Sequence, residues 1–149
     1  MSDFLHIVCP HCDTVNRLQA ERLHEQPSCG KCLRAIFSAK PVEVDGDGFT
    51  KHVTRNDIPV LVDFWAPWCG PCLMMAPAYE SAAQSLEPSV RLLKLDTEKA
   101  QDLAVRYGIR SIPTLALFKN GREVARQAGA MEAGRIVAWV QSQTRRQPA

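Results

Sequence analysis

The chain has no long hydrophobic run. Nowhere in its 149 residues does an apolar stretch approach the roughly 18 residues that a membrane helix needs, so no membrane partner is expected. It also lacks an excess of charge of either sign: 18 Lys and Arg stand against 16 Asp and Glu. A formal charge of +2 gives no electrostatic footprint for nucleic acid, and none is expected as a partner. The opening Met1-Ser2-Asp3-Phe4-Leu5-His6 has neither a basic stretch nor a long apolar core, which argues against a secretory signal and for a cytoplasmic location. Low-complexity tracts are absent too. With 46% hydrophobic and 23% charged residues, the composition is that of a globular chain, long enough for one domain or for a small domain with an appendage.

Cysteine, in contrast, is plentiful and ordered. The six residues form three Cys-x-x-Cys pairs, Cys9/Cys12, Cys29/Cys32 and Cys69/Cys72, with 16 residues between the first two pairs and 36 before the third. A reducing cytosol argues against three structural disulfides. The first two pairs have the spacing of a structural zinc site, because two residues between ligands make a tight turn that presents both sulfurs to one tetrahedral ion. Pro10 and Gly30 suit such turns. The apolar residues nearby (Ile7, Val8, Val15, Leu18, Leu23, Leu33, Ile36, Phe37) are too few for an independent core, so a bound metal would explain how residues 1–40 become ordered. A redox-active pair of disulfides and unliganded thiols are the alternatives. His6, His11 and His24 are expected to face solvent. Five Lys or Arg against four Asp or Glu in residues 1–40, unclustered, lend no support to DNA binding. Four thiolates on one Zn²⁺ would carry about −2 and bring the chain close to neutrality.

Residues 41–149 alternate between strand and helix patterns. A short strand at 41–44 and a helix near 48–55 precede the apolar run Val60 to Trp65. A helix over 70–86 places Met75, Ala78, Tyr79, Ala82 and Leu86 at helical spacing, with Pro77 expected to kink it. Val90 to Leu95 reads as the next strand, followed by a helix with Ala100, Leu103, Ala104 and Tyr107 on one face and Gly108 at its end. Thr114–Lys119 and Glu123–Ala128 flank Asn120-Gly121, a strong hairpin signal. A last helix carries Ile136, Trp139 and Val140, and the tail from Thr144 is expected to fray. The pattern predicts an α/β fold, a central mixed sheet flanked by helices, behind a zinc-ribbon-like N-terminal domain.

Cys69-Gly70-Pro71-Cys72 at a strand-to-helix turn is the arrangement of a dithiol–disulfide site. At the helix start, free N–H groups favour a Cys69 thiolate, while Cys72 lies a turn further in. Sharing a metal is the competing reading, but no further cysteines remain to complete a second tetrahedral site. Strand alternation puts Leu61, Asp63 and Trp65 on one face and Val60, Val62 and Phe64 on the other. A carboxylate in a strand buried on both sides loses hydration, so the Asp63 pKa is expected to rise. A structural ion pair is the plainer role for it.

Trp65-Ala66-Pro67-Trp68-Cys69-Gly70-Pro71-Cys72, the upstream Asp63, Gly108-Ile109-Arg110-Ser111-Ile112-Pro113-Thr114 and Phe118-Lys119-Asn120-Gly121 together resemble the thioredoxin family over residues 41 to 143. With the two Cys-x-x-Cys pairs in front, the chain resembles its zinc-containing bacterial members. The resemblance implies a protein-disulfide reductase that works by reversible oxidation of Cys69 and Cys72, recharged by an NADPH-dependent thioredoxin reductase. It further implies that Cys69 attacks, that Cys72 resolves, and that Asp63 moves a proton to or from Cys72 with Lys94 as its partner. By the same resemblance, Ile112-Pro113 is a cis peptide, and Trp68, Ile112, Pro113, Gly129 and Ala130 shape a groove for disulfide-containing protein substrates. One structural Zn²⁺ on Cys9, Cys12, Cys29 and Cys32 completes the set. A trans turn at Pro113 and a plain surface role for Trp68 are the alternatives. Leu73 and Ser111 depart from the family's usual cation and glycine, and Thr97 from its usual isoleucine, which bears on substrate preference. The competing function is a zinc-ribbon module that recruits a protein or nucleic acid, with the redox site secondary.

Overall fold

The computed structural model describes residues 3–146. Two sheets are present. The smaller pairs β1 (Phe4–Val8) with β2 (Val15–Gln19) in antiparallel register, Val8 opposite Val15. The larger has five strands: β3 (Val42–Val44), β4 (Val60–Trp65), β5 (Arg91–Asp96), β6 (Thr114–Lys119) and β7 (Arg122–Ala128), in the order β3-β5-β4-β6-β7. β3 and β4 run parallel to β5, while β6 and β7 run antiparallel to their neighbours. The mixed sheet expected from the alternating pattern is therefore present.

The central strand β4 is covered on both sides, which explains why it reads as a continuous apolar run rather than an alternating one. On one face, Leu61, Leu92, Leu115 and Leu117 pack against Met75, Tyr79, Ala82 and Leu86 of α2 (Gly70–Leu86) and Ile136 and Val140 of α4 (Ala133–Arg146). On the other, Val60, Val62, Phe64, Leu93 and Leu95 meet Phe49 and Val53 of α1 (Gly46–Arg55) and Leu103 of α3 (Gln101–Arg106). A cluster of edge-on aromatics, Phe49 with Tyr107 and Phe118, fills this second layer.

Local chemistry sets the element ends. The Asp45 carboxylate accepts the Gly48 N–H at 2.8 Å and caps α1. Asn120 and Gly121 both take positive φ, 54° and 81°, as a two-residue hairpin of the primed type requires. α2 continues through Pro77 to Leu86. Pro77 is exposed, and the carbonyl it leaves unbonded is that of Leu73, another exposed residue, so water can serve it. The expected fraying at Thr144 is corrected: α4 runs to Arg146, and the Thr144 hydroxyl donates to the Gln141 carbonyl at 3.1 Å. The end of the tail, 147–149, lies outside the described residues.

The N-terminal segment shares its core with the rest of the chain. Its buried Ile7, Leu23 and Ile36 gather around Cys9 and Cys29, and the cluster is completed by Ile58, which belongs to the turn before β4.

Candidate active site and metal centre

The C-terminal end of β4 delivers the chain to α2 through Ala66-Pro67-Trp68. Cys69 is the N-cap of α2, and its Sγ accepts the Cys72 N–H at 3.2 Å. Cys69 and Cys72 are joined as a disulfide. The first turn of α2 carries no acidic residue, so nothing offsets the positive end of a 17-residue helix beneath the Cys69 sulfur. Cys72 is 2% exposed and Cys69 4%, both packed with Ala66, Trp65 and Ile112. Ile112-Pro113 is a cis peptide, and the Ile112 carbonyl oxygen lies 3.8 Å from Cys69 Sγ. Gly129 donates to the Pro113 carbonyl at 2.9 Å from a backbone with φ of 95°, which brings residues 128–130 beside the cis turn.

Trp68 stands 67% exposed, with its indole N–H donated to the Glu98 carboxylate. It walls a cleft of about 360 Å³ with Gln101, Ala104, Val105, Arg110 and Ile112. Of the expected groove residues, Trp68 and Ile112 line this cleft. Pro113, Gly129 and Ala130 are not part of its lining, and Gly129 and Ala130 are exposed beside the cis turn.

Asp63 is fully buried, and neither carboxylate oxygen has a hydrogen-bond partner among the described residues. Burial pushes its pKa up from 3.8 to about 7, with Lys94 pulling the other way. Lys94 is the register partner of Asp63 across β4 and β5. It forms no ion pair with Asp63 within 4 Å; its Nζ sits 4.3 Å over the Trp65 ring.

The other four cysteines converge. The Sγ atoms of Cys9, Cys12, Cys29 and Cys32 all lie within 4.8 Å of one another, with Cys9–Cys32 and Cys12–Cys29 at 3.6 Å. A tetrahedron with Zn–S of about 2.3 Å has edges of about 3.8 Å, so the donor set fits that ion. None of the four is disulfide-bonded. Cys29 Sγ faces the N–H groups of Lys31 and Cys32 at 3.4 and 3.5 Å and the Asn16 amide at 3.5 Å, and Cys9 Sγ faces the His11 N–H at 3.4 Å. These are the donors a thiolate needs, and they hold Cys29 down at about 5. Burial pushes Cys9 up to about 12, and a cation at the centre would reverse that. His6, His11 and His24 are exposed, as expected.

Several contributors were not singled out from the sequence. The Tyr79 hydroxyl lies 2.7 Å from the Leu93 carbonyl and 3.2 Å from that of Leu61, bridging β5 and β4 beside Asp63. Glu98 steadies Trp68. Arg91 and Asn56 are buried polar residues far from the disulfide. Arg91 carries a readable signal, a cation inside the apolar run Val90-Arg91-Leu92-Leu93, four residues after Glu87.

A buried disulfide at a helix N-cap, facing a cis-proline turn on a mixed sheet, defines a thiol–disulfide oxidoreductase. Comparison with known proteins agrees. The thioredoxin family model matches residues 40–142, and the model described as thioredoxin 2, N-terminal, a zinc ribbon, matches residues 8–33. The chain belongs to the thioredoxin family. It is 40% identical to thioredoxin C-3 of Corynebacterium nephridii over 141 residues, covering 95% of this chain and 97% of that one. It is 48% identical to the thioredoxin of a Synechocystis species over 95 residues, 64% of this chain and 88% of that protein. Among solved structures, a mutant thioredoxin from Halobacterium salinarum NRC-1 superposes with a TM-score of 0.65 at 34% identity, over 72% of this chain and 94% of that one.

Proposed function

We propose that residues 41–149 reduce disulfides in cytoplasmic proteins, with Cys69 as nucleophile, while residues 1–40 form a domain built on one structural Zn²⁺. The observation that carries the first part is the placing of the Cys69 sulfur at the α2 N-cap, where the Cys72 N–H and the helix dipole stabilise a thiolate. The Cys69 thiolate attacks one sulfur of the substrate disulfide, forming a mixed disulfide and releasing the other sulfur as a thiolate. Asp63 then takes the Cys72 proton, for which its pKa near 7 is suited. The Cys72 thiolate attacks Cys69 Sγ, releases the second substrate thiol and closes the Cys69–Cys72 disulfide. Two electrons from a thioredoxin reductase reopen it. Lys94 tunes Asp63 through space. Trp68, Ile112, Pro113, Gly129 and Ala130 receive the substrate strand, and the Ile112 backbone beside the Cys69 sulfur supports that reading.

Cys9, Cys12, Cys29 and Cys32 would hold the zinc, which supplies a cross-link to a segment with little core of its own. Insulin-disulfide reduction tests the redox assignment. Cys69→Ser is expected to be inert and Cys72→Ser to stall as a mixed disulfide; turnover by either variant at the unmodified rate overturns it. Metal analysis with thiol counting tests the second part, with one zinc and four protected thiols expected.

A further inference from the structure

β1 is an edge strand, and its outer edge is closed by three side chains and one backbone N–H rather than by another strand. His6 and Val8 direct their backbone groups away from β2. The His6 N–H meets the Asp57 carboxylate at 2.7 Å, and its carbonyl receives the Asp57 N–H at 2.8 Å. The Val8 N–H donates to the Asn56 side-chain carbonyl at 2.8 Å, and the Val8 carbonyl accepts from Arg91 Nη2 at 3.1 Å. Val8 immediately precedes the sulfur ligand Cys9.

Both groups that hold Val8 are buried and themselves fixed. Asn56, the C-cap of α1, donates its side-chain amide to the His52 carbonyl at 3.0 Å and lies 3.1 Å from His52 Nδ1, which aims its carbonyl at Val8. Arg91 is fully buried. Its Nη1 pairs with Glu87 at 3.0 Å, and Glu87 in turn accepts the Ala39 N–H at 2.8 Å. The remaining proton of Nη2 reaches the Ile36 carbonyl at 2.9 Å. One guanidinium nitrogen therefore ties the strand entering the first cysteine pair to the chain leaving the second.

We propose that Asn56 and Arg91 are positioning residues for the metal centre: by fixing both backbone groups of Val8 they preset Cys9, so metal affinity depends on the α/β part and metal binding stabilises that part in return. The physical reason is reciprocity. If the folded α/β part raises metal affinity by some factor, the metal favours the folded α/β part by the same factor. Groups that orient ligands without touching the metal ordinarily change affinity about 10- to 100-fold. Lysine cannot replace Arg91, because an ammonium lacks the planar fork that serves Glu87 and two carbonyls together. The inference rests on the zinc reading above.

The test uses the full chain, the variants Asn56→Leu, Arg91→Met and Arg91→Lys, and Val140→Ala as a control in the α2–α4 layer. Zinc affinity is read by competition with a chromophoric chelator, and thermal unfolding is followed with and without zinc. The expectation is about 10- to 100-fold weaker zinc binding in Asn56→Leu and both Arg91 variants. The gap between zinc-bound and metal-free melting temperatures should narrow in the same variants. Val140→Ala should lower both melting temperatures and keep its zinc affinity to within about twofold, as a distant site does. A chain that takes up no zinc before any substitution overturns the metal reading and the coupling with it. A chain that binds one zinc, with Asn56→Leu and Arg91→Lys binding it equally well, overturns the coupling alone. Should Arg91→Met fail to fold, Asn56→Leu and Arg91→Lys still decide the question.

Discussion

Asp63 and Lys94 face each other across β4 and β5, in register and on the same side of the sheet, yet they do not pair. The lysine places its Nζ 4.3 Å above the Trp65 ring, and both Asp63 oxygens are without a partner among the described residues. A carboxyl so placed keeps its proton to about pH 7. Between about pH 4 and 7 the folded chain holds a proton that the unfolded chain has released, so stability falls as pH rises through this window. The displacement from 3.8 to about 7 corresponds to about 4 kcal/mol at full effect. Asp63→Asn should remove the decline and melt higher at pH 8, while slowing resolution of the mixed disulfide by about 100-fold, the low end for loss of a general base. Melting curves across pH and single-turnover kinetics check the two halves.

Lys94→Gln removes the positive charge that opposes burial at Asp63. The Asp63 pKa should rise further, and the pH at which the reductase rate climbs should move up with it. Carboxyl titration by NMR reads the shift directly; an unmoved or lowered pKa would show that Lys94 acts through Trp65 packing alone.

Leu73 lies one turn beyond Cys69 in α2, more than half exposed, and Met74 beside it is 81% exposed. Leu73→Lys adds a cation near the Cys69 sulfur. The Cys69 thiolate should be modestly favoured, as an exposed cation at that range favours an anion. Ultraviolet thiolate absorbance against pH reads the change, and added salt should erase the effect.

Tyr79→Phe deletes the hydroxyl shared by the Leu61 and Leu93 carbonyls and opens no space for another donor. The expected cost is about 1–2 kcal/mol, seen as a lower urea midpoint with unchanged slope.

Much of this molecule was legible before any coordinates, for identifiable reasons. The α/β layers follow from short continuous apolar runs alternating with period-3.6 apolar spacing, and Gly70 and Leu86 bound α2 where the pattern put them. Both cysteine assignments rest on spacing, which is local information. What escaped was long-range and polar. Nothing local says that Asn56 and Arg91 reach Val8 across 48 and 83 positions of sequence, or that Lys94 prefers an indole to a carboxylate. The cleft between Trp68 and α3, lined by Ala104 and Val105, also had no signal in the sequence.

α2 links the two ends of the molecule. Cys69 of the disulfide is its N-cap, and Glu87, its C-cap, is bonded to Arg91 and the backbone of Ala39. Seventeen helical residues make a strut of about 25 Å. The disulfide lies past the C-terminal end of β4, while Ile58 and Arg91 meet the ribbon at the opposite rim of the sheet. The disulfide and the four clustered cysteines are thus carried at opposite rims of one sheet. Neither end stands in the other's way.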